Sequence, residues 1–338
     1  MAPSSGKTPA PPKVFAIGDI HGCVRELQLL LAHLPLEQDS VLIFLGDYID
    51  RGNHSRQVIE TILSLKKQYK VITLKGNHEA MLLDFLADPE SHKGGMFILN
   101  GGSSTLASYS DQAGTYTIPG EHVDFFKGLR LFDEMKDFFF VHAGVPEIAL
   151  SEIDPVEDEM FMLWVRTPFL KSTHDWGKVI VHGHSPVDEP QSLPNRINVD
   201  TSCVFGGKLT AVELPARRFY SVARSAVDEP RVFLKDKDSK RVSFRFDGAI
   251  AVFVSRGGHS LRFETLNYSE FGMLIREART EGNASLALGE KIMGEIGNDS
   301  HSRVDFSGEV VRCETRQDGV LYGIRMDKVE SIDERKPR

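Results

Sequence analysis

The sequence predicts an α/β domain built on a βαβαβ core around a buried, largely parallel sheet, followed by a small C-terminal all-β barrel. Three observations lead there. From residue 14 onward, short apolar runs ending in Gly, Asp or Asn alternate with segments of helical period, which is the pattern of βαβ units around a buried sheet. Beyond about residue 222 the helical period gives way to short alternating runs separated by Gly, Asn or Asp, which is the pattern of a small barrel. Finally, 338 residues are enough for two domains, and 41% apolar with 9% aromatic residues supply the material for two cores.

The elements follow in order. Residues 1–12 are rich in Pro, Ser and Ala and read as a disordered tail. Strand-like runs at 14–19, 41–47 and 71–77 each lead into a helix-like segment, at 24–34, 55–69 and 80–86 respectively. Residues 94–120, rich in Gly, Ser and Thr, read as loops with short helices capping the carboxyl ends of those strands, where ligands collect in such sheets. Further strands are expected at 138–142, 178–184, 196–200 and 208–214, so that a first domain covers 13–222. A charged stretch containing Pro230 reads as a linker over 223–238. The barrel domain follows at 239–330, with strands at 242–246, 249–254, 260–266, 273–276, 291–296, 307–312 and 321–326, and 331–338 is a tail.

Composition excludes several classes of function. Forty Lys and Arg against 48 Asp and Glu give a net charge of −8, which argues against wrapping a nucleic-acid polymer. No apolar run approaches the roughly 18 residues of a bilayer span, and the N-terminus has no apolar signal stretch. Three cysteines, far apart and without a CxxC pair, suit reduced thiols, so the expected location is the cytoplasm.

The chemistry is concentrated in five strings at the ends of expected strands: Gly18-Asp19-Ile20-His21-Gly22, Gly46-Asp47-Tyr48-Ile49-Asp50-Arg51-Gly52, Gly76-Asn77-His78-Glu79, His142-Ala143-Gly144 and His182-Gly183-His184. A single Asp or His at a strand end is usually a cap. Five in order are a constellation. Carboxylate, imidazole and amide oxygens suit divalent Mn, Fe or Zn, and the absence of thiolates argues against a structural zinc site. Two such ions about 3.5–4 Å apart would polarise a phosphoryl group and deprotonate a bridging water for in-line attack. Arg51 carries a planar fork that suits phosphoryl oxygens, and His78 can protonate a leaving group if an acid such as Asp50 orients its ring.

These strings resemble the phosphoprotein phosphatase family of binuclear metallophosphoesterases, in its bacterial branch, over about residues 13–222. The resemblance implies a metallophosphoesterase sandwich in which Asp19 and His21 hold one metal, Asp47 bridges both, and Asn77, His142 and His184 hold the second. It further implies two divalent ions, Mn first, with Fe or Zn as alternatives. His78 would be the general acid with Asp50 as its partner, and Arg51 would bind phosphate together with Arg166 in Leu163-Trp164-Val165-Arg166. His182 is expected beside the metals rather than on them, and Cys23 is expected to be a small buried hydrophobe. Asn100-Gly101-Gly102 before Thr105-Leu106, and the run from Asn195 to Thr201 followed by Gly206-Gly207, also look like the bacterial members, except that Ser202 stands where a Gly commonly follows the Asp-Thr pair.

In the second domain, Arg241-Val242-Ser243-Phe244-Arg245 is followed by Asn267-Tyr268-Ser269-Glu270-Phe271-Gly272. Two arginines four apart can stack on purines and pair with phosphates, while Asn, Ser and Gly suit a turn at which a ligand approaches. In this order, ahead of and within a small barrel, the two strings resemble the PilZ domain, the bacterial receptor for cyclic di-GMP. The resemblance implies that Arg241, Arg245, Asn267, Ser269 and Gly272 contact that nucleotide. The function expected is a metal-dependent serine/threonine-type protein phosphatase, acting on phosphoprotein substrates and regulated or targeted by cyclic di-GMP. A hydrolase of dinucleoside polyphosphates and a non-catalytic cyclic di-GMP receptor are the alternatives.

Overall fold

The structure is a computed structural model that describes residues 12–111, 114–225, 246–247, 249–269, 271–277, 286–297, 304–316 and 319–330. Its first part is a sandwich of two five-stranded sheets. The first sheet contains β1 (Val14–Ile17), β2 (Val41–Phe44), β3 (Lys70–Thr73), β9 (Lys208–Leu214) and β10 (Arg218–Ala223), in the order β10-β9-β1-β2-β3. The second contains β4 (Phe132–Glu134), β5 (Phe138–Val141), β6 (Val179–His182), β7 (Gln191–Ser192) and β8 (Arg196–Asn198), in the order β4-β5-β6-β8-β7. Strands β1, β2 and β3 are mutually parallel, as are β5, β6 and β8; antiparallel β9 and β10 complete one edge of the first sheet, and antiparallel β4 and β7 the two edges of the second.

Side-chain alternation explains why the strands are apolar throughout. Phe15, Ile17, Leu42 and Phe44 face helices α1 (Val24–His33), α2 (Ser55–Leu65) and α3 (Asn77–Ala87), packing with Leu27, Leu30, Ile59, Ile62 and Leu82. Their neighbours Val14, Ala16, Val41 and Ile43 face the other way and meet Phe138, Phe140, Val181 and Ile197 of the second sheet. The outer face of that second sheet, with Phe139, Val141 and Ile180, is covered by Met162 of α7 (Glu159–Trp164) and by Phe169 and Trp176. A strand buried on both faces needs apolar residues at every position.

The expected cap is more helical than its composition suggested. Helix α4 (His92–Phe97) runs on through Ile98–Asn100, kinks at Gly101, whose φ is 102°, and is followed by α5 (Ser103–Ser108), with α6 (Gly120–Lys127) beyond. Strands β4, β7 and β10 were not anticipated, being short, exposed or hydrophilic sheet edges. At the end of the first part, Arg224 pairs with the buried Glu26, which also accepts the Ser225 amide, so the chain stays packed through residue 225. The expected linker beyond it lies outside the described residues.

The second part is a barrel of β12 (Ala251–Arg256), β13 (His259–Ser269), β14 (Gly272–Glu277), β15 (Lys291–Ile296), β16 (Val304–Arg316) and β17 (Gly319–Glu330). The short β11 (Phe246–Asp247) pairs with β13, and the β13–β14 pairing closes the ring, leaving antiparallel neighbours all round. Val252, Val254, Phe263, Ile275, Phe306, Tyr322 and Ile324 fill its interior. No described helix is long and apolar enough to cross a membrane.

Ser202 resolves one local question. It adopts the left-handed conformation, φ 59° and ψ 38°, that a glycine accepts without strain, with its amide on Asp200 Oδ1 at 3.0 Å. Ser202→Gly is therefore expected to be neutral to stabilising, by up to about 1 kcal/mol, or a rise of roughly 2–4 °C in Tm. Calorimetric unfolding checks this, and a fall in Tm would show that the hydroxyl contributes more than the backbone strain costs.

Candidate metal centre

The strings converge because they leave neighbouring strands on the same side. Loops after β1 and β2 are tied together by the amides of Ile20 and His21, which both donate to Asp47 O at 3.0 and 2.9 Å, and by Gly22 N on Tyr48 O at 2.9 Å. Glycine is required where they touch: a β-carbon on Gly22, whose φ is +66°, would sit 2.7 Å from Gly52 O. Glu79, fully buried, accepts the amides of Asp47 (2.9 Å), Tyr48 (2.8 Å) and Gly76 (3.0 Å), fixing the β2 and β3 loops to one another. Burial pushes its carboxyl up to about 6.

Backbone strain is concentrated here. Among the described residues, seven other than glycine have positive φ, and five of them belong to the strings: His21 (45°), Asp47 (51°), Asp50 (72°), Arg51 (68°) and His184 (63°). Such conformations persist only where the surroundings over-determine them, and they gather at functional sites.

Buried electron-pair donors meet at Asp47. Its Oδ2 lies 3.5 Å from His21 Nε2 and 3.5 Å from His142 Nε2. His142 Nε2 is also 2.9 Å from Asn77 Oδ1 and 3.2 Å from His184 Nδ1, and that nitrogen is 3.1 Å from Asn77 Oδ1. The outer nitrogens set the tautomers. His21 Nδ1 faces Ile49 O at 2.7 Å and His142 Nδ1 faces Leu45 O at 2.9 Å, so in the neutral rings both Nδ1 atoms donate and both Nε2 atoms are left as acceptors beside Asp47, that of His21 also facing Arg51 Nη1. Carboxylate, amide oxygen and imidazole lone pairs drawn this close suit divalent cations, and two groups that share Asp47 have metal-binding spacing: His21, Asp47 and His78, and Asp47, His142 and His184. Asp19 lies beside rather than within these groups, its carboxylate accepting the His184 amide at 3.1 and 3.2 Å and lining a small cavity with His21, Arg51, His184 and Asp200.

His78 is held differently. Its Nδ1 is 2.6 Å from Asp50 Oδ2, both groups are fully buried, and its Nε2 is turned toward Asp47 Oδ2 at 4.0 Å. Asp50 is fixed in turn by Thr105, whose hydroxyl donates to Oδ1 at 2.6 Å and accepts the Asp50 amide at 2.8 Å. Arg51, 4% exposed, brings Nη1 to 2.9 Å from His21 Nε2, and its guanidinium lies 5.3 Å above the ring of Phe205. Arg166 donates to His184 O at 3.0 Å. His182 stays outside both donor groups, its ring edge-on to Phe169 with centroids 5.0 Å apart, and desolvation holds its pKa down at about 4.

Sequence reasoning gave no role to Glu79, although it stands in the third string, nor to Thr105. Phe205, 41% exposed at the cavity, carried no sequence signal. Cys23 is fully buried as expected, but beside Cys203 and Glu26, a juxtaposition that the 179 residues between the two cysteines conceal. In the barrel, Asn267 lies in β13, and Ser269 ends that strand at the tight connection to β14. Ser269 Oγ bonds Gly272 O and the Phe271 amide, each at 3.3 Å, and Gly272 opens β14. Arg241 and Arg245 lie outside the described residues.

Residues 12–219 match the calcineurin-like phosphoesterase family, and the chain belongs to it, as a metallophosphoesterase. Residues 239–337 match the PilZ domain, so the barrel is a PilZ domain fused to the phosphoesterase. The chain is 31% identical over 235 residues to bis(5'-nucleosyl)-tetraphosphatase PrpE [asymmetrical] of Oceanobacillus iheyensis, covering 62% of this chain and 92% of that one. It is 32% identical over 231 residues to the protein of the same name from Anoxybacillus flavithermus, covering 61% and 92%. A solved structure of a putative diadenosine tetraphosphatase is similar with TM-score 0.48 and 21% identity, over 64% of this chain and 95% of the other.

The depressed His182 pKa sets a pH dependence. A histidine held near 4 in the folded state and titrating near 6.5 when unfolded contributes stability that is complete above pH 6.5 and is lost as the pH falls from there through 4, by at most about 3 kcal/mol. Unfolding of chelator-treated protein should weaken across that window, and His182→Phe should flatten the dependence. An unchanged slope in the variant would place the effect elsewhere.

Proposed function

We propose that this chain is a hydrolase of phosphoric esters or anhydrides that works with two divalent cations, manganese first, and is controlled by cyclic di-GMP bound to its barrel. The observation that carries the catalytic half is the convergence of the Asp47 carboxylate with imidazole and amide donors, next to a buried His–Asp pair and a buried arginine. Asp47 would bridge the cations, with Asp19 and His21 on one side and Asn77, His142 and His184 on the other. Bound there, the ions would supply Lewis-acid charge to the phosphoryl oxygens and lower the pKa of the attacking water.

The protein groups do the rest. Arg51, braced by Phe205, presents its fork to the phosphoryl oxygens, and Arg166 adds a second positive charge where it meets the His184 carbonyl. His78, protonated and oriented by Asp50 through Nδ1, holds the proton on Nε2 that the leaving oxygen needs. Cys23 and Cys203 take no part. Both thiols are buried, and Cys203 is pushed well above the usual thiol range by its contact with Cys23 and by burial.

Two observations support dinucleoside polyphosphates as the first reading of the substrate: the relatives named bis(5'-nucleosyl)-tetraphosphatases, and the exposed ring of Phe205 at the cavity, which can stack on a base. A phosphoprotein is the second reading, carried by the sequence resemblance to phosphoprotein phosphatases. Assays of diadenosine tetraphosphate beside phosphoserine, phosphothreonine and phosphotyrosine peptides decide between them. ATP and AMP in equal amounts are expected, and turnover of peptides alone would reverse the order.

Chelation should abolish turnover and Mn²⁺ should restore it. His78→Asn should lower kcat by roughly 10² to 10⁴, least with p-nitrophenyl phosphate, whose leaving group needs little protonation. An equal loss on aryl and alkyl phosphates together with lost metal would assign His78 to the ligand set instead.

For the barrel, the resemblance assigns the nucleotide to Arg241, Arg245, Asn267, Ser269 and Gly272. Arg241→Ala combined with Arg245→Ala should eliminate cyclic di-GMP binding in calorimetry while metal-dependent hydrolysis persists. Undiminished binding would remove these arginines from the site.

A further inference from the structure

The barrel touches the phosphoesterase through a glycine. A β-carbon on Gly95, in helix α4, would lie 2.7 Å from Tyr268 Oη and 3.0 Å from Tyr268 Cζ, and closer still to Ile250 Cδ1. A methyl there would have to push one of these side chains aside. Tyr268 and Ile250 are both buried, and Tyr268 stands between Asn267 and Ser269 in β13.

The helix that receives this contact leads directly to the catalytic groups. Two residues on, the ring of Phe97 occupies the place of a β-carbon on Gly102, at 2.6 Å, and Asn100 Nδ2 bonds back to Met96 O at 2.8 Å. Between them Gly101, at φ 102°, accepts the Arg51 amide at 3.2 Å, and Arg51 Cγ would lie 2.8 Å from its β-carbon. One turn later Thr105 holds Asp50, and Asp50 holds His78. Each joint is a close-packed contact or a short hydrogen bond. A displacement at Gly95 therefore has little slack to be absorbed in before it reaches Arg51 and Asp50.

We propose that residues 92–108 are the link through which the barrel sets the phosphate arginine and the acid pair, with Tyr268 and Ile250 bearing on Gly95 at one end and Gly101 and Thr105 acting as positioning residues at the other. The proposal rests on the assignment of Arg51 and His78 made above. It deepens that reading by giving cyclic di-GMP a route: a ligand on Asn267 and Ser269 acts on the strand that carries Tyr268. Linkage requires that such a ligand favour one seating of β13 on α4 over another.

The test is a double-mutant cycle in the full-length, Mn²⁺-loaded protein. Gly95→Ala wedges a methyl against Tyr268, whereas Tyr268→Ala makes room for it. Gly95→Ala should lower kcat/KM on an alkyl phosphate about 2- to 30-fold, with a smaller loss on p-nitrophenyl phosphate, and should weaken inorganic phosphate binding in calorimetry. Adding Tyr268→Ala should recover most of that loss. A folded Gly95→Ala with wild-type kinetics and phosphate affinity overturns the link, as do losses that simply add in the double variant. If Gly95→Ala does not fold, Tyr268→Phe, which removes only Oη, decides by the same readouts.

The nucleotide separates the two claims. A cyclic di-GMP effect on the wild type that persists undiminished in Gly95→Ala, with binding confirmed by calorimetry, overturns the route. Absence of nucleotide binding overturns the receptor reading alone and leaves the cycle to judge the link.

Discussion

The first part of the molecule is organised around one electrostatic constraint. A buried carboxylate, Asp47, is surrounded within 3.5 Å by imidazole nitrogens whose outer nitrogens are committed to backbone carbonyls. Lone pairs aimed at one another in a buried site are unfavourable without positive charge between them. Holding them there requires a rigid frame. Two sheets bury their strands on both faces and send five loops to one end, Glu79 gathers three amides, and glycines let the loops touch. The positive φ values at His21, Asp47, Asp50, Arg51 and His184 show what this frame holds in place.

Much of this was legible in the sequence, for physical reasons. Strands buried on both faces declare themselves as unbroken apolar runs, and metal-type donors placed at their ends stand out as strings. The barrel's alternation declared it equally well. What stayed hidden depends on contacts distant in sequence or on edges without pattern. Strands β4, β7 and β10 are edge strands whose sequence shows little alternation. Thr105 is one hydroxyl among many in a Ser- and Thr-rich stretch, and its role emerges only when its 2.6 Å bond to Asp50 is seen. Ser202 occupies a left-handed turn where glycine was expected, because the loop tolerates the strain. Asn267 is drawn into β13 by pairing with Leu274 of β14, while Ser269 and Gly272 flank the tight connection between the two strands.

The stretch expected to be loops with short helices does carry short helices, joined by close-packed glycines. It lies between the barrel's Tyr268 and the loop bearing Asp50 and Arg51. Gly and Ser there permit close approach rather than mobility. Gly95, Gly101 and Gly102 each face a side chain that would collide with a methyl group.

The central claim is that the Asp47 cluster is a two-cation site, and anomalous scattering from Mn²⁺-loaded crystals tests it most directly. Two peaks about 3.5–4 Å apart are expected, one on each side of the Asp47 carboxylate, with His21 beside the first and Asn77, His142 and His184 beside the second. A single peak, or peaks that Asp47 does not touch, would contradict the account.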